Sequence, residues 1–128
     1  MSTTPTQVPS GPQRMTPSEA FVETMVARGV KTMFGIMGSA FMDAMDIFAP
    51  AGITLIPVVH EQGAGHMADG YARAGGADRA IPGVAFVITG PGLTNVLTAM
   101  AQARADSSRM LVISSVNPGA SLGRGMGY

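Results

Sequence analysis

The chain has 128 residues, 46% hydrophobic and 12% charged, with a formal net charge of zero. That length holds one domain with one hydrophobic core, and the composition is that of a globular α/β fold, not a disordered chain. Lys and Arg form no block, which argues against nucleic acid or an anionic membrane as a partner, and the absence of cysteine excludes disulfides and thiolate chemistry.

Residues 1–14 are rich in Ser, Thr, Pro and Gly with no apolar run. They read as a solvated tail rather than a signal peptide, and the domain is expected over 15–128. Thr16-Pro17-Ser18-Glu19 is a capping box with proline in the first helical turn. Phe21 with Met25 and Val22 with Val26 give the following helix its apolar side, and Gly29 ends it. Val30 to Ile36 reads as a strand, and Gly35-Ile36-Met37-Gly38-Ser39 as a tight turn. Phe41, Ala44, Met45 and Phe48 then recur at helical spacing up to Pro50 and Gly52.

Ile53 to Val59 is nearly continuous in apolar residues, the pattern of a strand covered on both faces. The next helix is expected to put Ala64, Met67, Ala68 and Tyr71 on its inner face and His66, Asp69 and Arg73 on its outer face. Asp69 and Arg73 stand at ion-pair spacing. Val84 to Ile88 is a third strand. After Gly90-Pro91-Gly92, the residues Leu93, Val96, Leu97 and Met100 repeat at helical spacing, and Met110 to Ile113 is a fourth strand. Alternation of this kind implies a three-layer α/β/α domain around a parallel sheet. Ending in a glycine-rich loop after a strand, the chain reads as the truncated front of a longer protein.

Ligands of open parallel sheets bind beyond the carboxyl ends of the strands. The unusual residues fall there: Gly35 to Ser39, His60-Glu61-Gln62, Thr89-Gly90-Pro91-Gly92 and Asn117-Pro118-Gly119. Glu61 is the sole carboxylate at that edge. By itself, a Glu at a strand-to-helix junction is an ordinary charge on a helix dipole. His60 and His66 lack zinc-helix spacing, so no metal site is assigned, and His60 is expected to orient neighbouring backbone. Neither a P-loop nor a G-x-G-x-x-G fingerprint occurs.

Three runs, taken together, carry a resemblance. Phe34-Gly35-Ile36-Met37-Gly38, then His60-Glu61-Gln62-Gly63-Ala64-Gly65-His66-Met67-Ala68-Asp69-Gly70-Tyr71-Ala72-Arg73, then Thr89-Gly90-Pro91-Gly92-Leu93-Thr94-Asn95 resemble the N-terminal pyrimidine-binding domain of thiamine-diphosphate enzymes. The nearest group contains acetolactate synthase, 2-oxoacid decarboxylases and sulfoacetaldehyde acetyltransferase. The family turn commonly has proline where Met37 stands, and Gly75 to Pro82 is longer than the usual link.

The resemblance implies the thiamine-diphosphate-binding fold and a catalytic role for Glu61. A carboxyl group on the aminopyrimidine ring nitrogen favours the imino form, whose nitrogen can then take the thiazolium proton. It also implies that Ile36, Met37 and Gly38 pack near the cofactor rings, with Pro91, Gly92 and Asn95 shaping the opposite wall. Thiamine diphosphate is the implied cofactor. Its diphosphate and Mg2+ are expected on a separate C-terminal domain. The implied parent is a cytoplasmic homodimer or homotetramer, a transferase or lyase that makes or breaks carbon–carbon bonds on a 2-oxoacid or a sulfonated aldehyde. This chain alone is expected to be inactive. The rival reading is a non-catalytic α/β binding or regulatory module, in which Glu61 is only a helix-start charge.

Overall fold

The computed structural model describes residues 14–75 and 81–125. Most of the expected tail (1–13), the middle of the long link (76–80) and residues 126–128 lie outside the described residues.

Helix α1, Pro17–Ala27, starts on the expected capping box. Glu19 donates its backbone N–H to Thr16 Oγ1 at 3.2 Å, and Thr16 returns its own N–H to Glu19 Oε2 at 2.6 Å. Gly29 ends the turn with φ of 77°, a conformation that suits glycine. Strand β1 is shorter than expected, Thr32–Gly35. The next apolar repeat folds as a 3-10 turn, Ser39–Phe41, and a one-turn helix α2, Met42–Met45. β2 (Thr54–Pro57), α3 (Glu61–Ala74), β3 (Gly83–Val87), α4 (Pro91–Ala105) and β4 (Met110–Ser114) follow.

The strands form one parallel sheet in the order β2-β1-β3-β4. α1 and α2 cover one face, where Val22, Val30, Met33, Ala44, Phe48, Ile53, Val84 and Phe86 form the larger core. α3 covers the other face, with Phe34, Ala64, Ala68 and Ala85 buried beneath it, and α4 packs beside α3. The three-layer α/β/α expectation therefore holds. β3 is buried along its whole length, whereas β2 lies at the sheet edge with Thr54 and Pro57 exposed. Its apolar run does not mark a strand covered on both sides.

Two helix faces differ from the periodicity. On α3 the buried set is Ala64, Gly65, Ala68, Asp69 and Ala72, while Met67 is exposed. On α4 it is Gly92, Val96, Ala99 and Ala103, and Leu93 and Leu97 face outward. The cause is how closely α3 approaches α4 and β3. A Cβ on Gly65 would stand 2.5 Å from Ala99 Cβ and 2.8 Å from Val96 Cγ2, and one on Gly83 would run into the Ala68 carbonyl. Only small residues fit at such crossings, so the small-residue stripe turns inward and the large apolar residues turn out.

Candidate active site

Strand order decides where a crevice can form. The chain leaves β1 towards β2 on one side, and leaves β3 towards β4 on the other. The loops after these adjacent strands diverge, which opens a crevice at the carboxyl end of β1 and β3. Gly38 lies in the first loop and Ile88 to Gly92 form the second. Ile88 connects them: its Cδ1 is 3.8 Å from where a Cβ on Gly38 would lie, and its Cγ2 is 2.8 Å from that position on Gly92.

Glu61 enters from α3. His60 caps this helix, accepting the Gln62 N–H on Nδ1 at 3.2 Å, which is the backbone-orienting role expected of it. Glu61 is the first helical residue and half-buried. Its carboxylate leans across to α4, where Asn95 Nδ2 donates to Oε2 at 2.9 Å. The other oxygen, Oε1, is 3.4 Å from where a Cβ on Gly92 would stand. The glycine leaves room for that oxygen against the start of α4, whose turn is opened by Gly90 at φ of 66° with Pro91 following. Thr89 is held in place by its N–H, which donates to Ser115 Oγ at 3.0 Å from the end of β4.

A family model described as thiamine pyrophosphate enzyme, N-terminal TPP binding domain, matches residues 15–128. The chain belongs to this family. It is 69% identical over 97 residues to a sulfoacetaldehyde acetyltransferase of Castellaniella defragrans, covering 76% of this chain and 16% of that protein. It is 51% identical over 121 residues to a probable 2-ketoarginine decarboxylase of Pseudomonas aeruginosa, covering 94% of this chain and 21% of that protein. A mitochondrial acetolactate synthase catalytic subunit of Aspergillus candidus is 43% identical over 109 residues, covering 84% of this chain and 15% of that protein. The chain thus spans about a fifth or less of the length of these thiamine pyrophosphate enzymes.

Of the candidate residues, Glu61, Gly92 and Asn95 meet directly, and Gly38 joins them through Ile88. Pro91 is exposed as the first residue of α4. Ile36 is half-buried, and Met37 is 63% exposed and lines a separate groove with Met45, Phe48 and Leu55. Sequence reasoning missed Ile88 as the link between the two glycine turns and Ser115 as the anchor of Thr89. Ile88 stood beside the Thr89-Gly90-Pro91-Gly92 run, but an apolar residue ending a strand carries no chemical signal of its own. Among the described residues no group of three or more His, Cys, Asp or Glu could hold a metal ion, and no helix is long and apolar enough to cross a membrane.

Proposed function

We propose that Glu61 is the acid–base group of a thiamine-diphosphate enzyme that makes or breaks carbon–carbon bonds next to a carbonyl. The observation that carries this reading is the half-buried Glu61 carboxylate, held by Asn95 and facing Gly92 at the sheet's diverging loops.

The donor set suits the pyrimidine half of the cofactor. A carboxyl group can share a proton with a ring nitrogen; the open backbone at Gly38 offers room beside it for a flat ring, and Gly92 lets Glu61 stand against the start of α4. When bound, thiamine diphosphate supplies a thiazolium that accepts electron density from a carbon beside a carbonyl. Glu61 holds the proton that moves to and from the pyrimidine ring. Ile36 and Gly38, with the Met37 backbone between them, form one wall of the ring site, the Met37 side chain lying in its own groove, and Pro91, Gly92 and Asn95 form the other. Magnesium and the diphosphate are held by residues outside this chain, which is inactive alone. The names of the relatives support a 2-oxoacid or a sulfonated aldehyde as substrate of a transferase or lyase; a cytoplasmic homodimer or homotetramer belongs to the same proposal and rests on the family resemblance alone.

The test is Glu61→Gln in the full-length enzyme carrying this domain. Gln keeps the size and one acceptor oxygen but loses the exchangeable proton. Activity is expected to fall by about 10²–10⁴-fold, the range for losing a positioned acid–base group. Exchange of the thiazolium proton for deuterium, followed by rapid-quench NMR, should slow in step. Wild-type exchange in a folded Glu61→Gln protein would remove Glu61 from the mechanism.

A further inference from the structure

We propose that Asn95 is a positioning residue for Glu61, gripping Oε2 so that Oε1 is the oxygen that exchanges a proton with the bound ligand. The proposal rests on the reading of Glu61 given above and deepens it, moving Asn95 from a wall of the ring site to a clamp on the acid–base group.

Glu61 and Asn95 are 34 residues apart and stand on different helices, joined by the 2.9 Å contact from Nδ2 to Oε2. An ionised carboxylate only accepts hydrogen bonds, so the nitrogen side of the amide is the side that must face it. Asn95 sits one turn inside α4, where asparagine is a poor helix former and where capping gives it no duty, since the cap position is Gly90. Its buried neighbours in the helix, Val96 and Ala99, are apolar, whereas the polar Thr94 and Thr98 are exposed. A polar residue that weakens its own helix there is explained by the carboxylate it reaches.

The clamp divides the work of the two oxygens. Oε2 accepts from the amide, and while it does so the proton on a neutral Glu61 resides on Oε1. That oxygen lies on the Gly92 side, 3.4 Å from where a Cβ on Gly92 would stand, with the Ile88 side chain beside it. A Glu side chain without the clamp regains rotamer freedom, and a displacement of about 1 Å at a reacting group costs about 10²-fold in rate.

The experiment uses the full-length enzyme and three variants. Asn95→Leu keeps the approximate shape and Asn95→Ala removes the side chain, both without a donor, and Asn95→Gln keeps the donor on a longer arm. In the cofactor-free protein, the infrared carboxylate band of Glu61 is isolated by subtracting the Glu61→Gln spectrum. It should shift in Asn95→Leu and Asn95→Ala, with Asn95→Gln between them and the wild type. In the loaded enzyme, kcat should fall about 10–100-fold in the two donor-less variants, as is common for residues that orient a reacting group, while substrate KM stays within about twofold. Should Asn95→Leu fail to fold, Asn95→Ala decides alone. A kcat loss with no band shift, or an unchanged kcat, overturns the clamp. Wild-type activity in Glu61→Gln overturns the functional reading instead, and the band of the cofactor-free protein still reports whether Asn95 grips Glu61.

Discussion

At Gly92 the site and the packing use the same space. A Cβ there would stand 2.8 Å from Ile88 Cγ2 and 3.4 Å from Glu61 Oε1. Gly92→Ala should therefore cost about 1–3 kcal/mol in urea denaturation, the range for overpacking a buried position, and should lower activity by pushing the carboxylate aside. Gly38→Ala is the contrast. Its Cβ would make an ordinary 3.8 Å contact with Ile88, so stability should stay within about 0.5 kcal/mol. Equal losses in the two variants would mean that Glu61 and Ile88 do not crowd Gly92 as described. Glycines at 38 and 92 were legible as close-approach positions from their place after apolar strands. Which side chain each approaches was not, because Ile88 and Glu61 reach them through space and not along the chain.

Between elements, α3 carries a built-in comparison. Gly65 crosses α4 at Val96 and Ala99 with no room for a methyl group, whereas a Cβ on Gly70 meets nothing within 4 Å. Gly65→Ala should destabilise by about 1–3 kcal/mol, and Gly70→Ala should stabilise by about 0.5–1 kcal/mol through helix propensity. Thermal melts of the two variants check this; if both move Tm in the same direction, the α3–α4 crossing is not set by Gly65. The same two helices are also joined by charge. Arg73 pairs with Asp69 at 3.0 Å and with Asp106, just past the end of α4, at 2.7 Å. The Arg73 hydrogen bond, opposed by burial, holds the Asp69 carboxyl below its usual pKa. With the folded value depressed, its contribution to stability is complete above the unfolded value near 3.9 and disappears as pH falls through the folded value. Asp69→Asn should flatten that acid limb of the stability–pH curve and leave the neutral-to-alkaline part parallel to wild type. An unchanged acid limb would show that Asp69 does not drive it.

Across the whole molecule, the loops at the carboxyl ends of the strands carry exposed apolar residues. Met37, Val59, Val116 and Leu122 are exposed on the loops that follow β1, β2 and β4. The proposed division of the site assigns the magnesium diphosphate to residues outside this chain. Diphosphate and metal contacts dominate the affinity for such an anion. Calorimetric titration of this 128-residue chain with thiamine diphosphate and magnesium should accordingly give millimolar or weaker binding, about −4 kcal/mol at most. Tight, metal-dependent binding by the chain alone would place the anchor within it and overturn the proposed division of the site.

The sequence by itself determined the α/β class, the alternation of elements, the capping box at Thr16, the Asp69–Arg73 pair and the clustering of unusual residues at strand ends. Each of these is a local signal: periodicity, a cap spacing of three, an ion-pair spacing of four, glycines after apolar runs. The tertiary structure alone decided that β2 is an edge strand, that Asp69 is buried at 4% exposure while Met67 is not, and that Leu97 faces outward at 50%. It also decided that Asn95 reaches Glu61. Periodicity assigns an apolar face to a helix on the premise that large residues go inside. Here α3 approaches α4 at Gly65 and β3 at Gly83 so closely that only small side chains fit between them, and those distances are a property of the assembled sheet and helices.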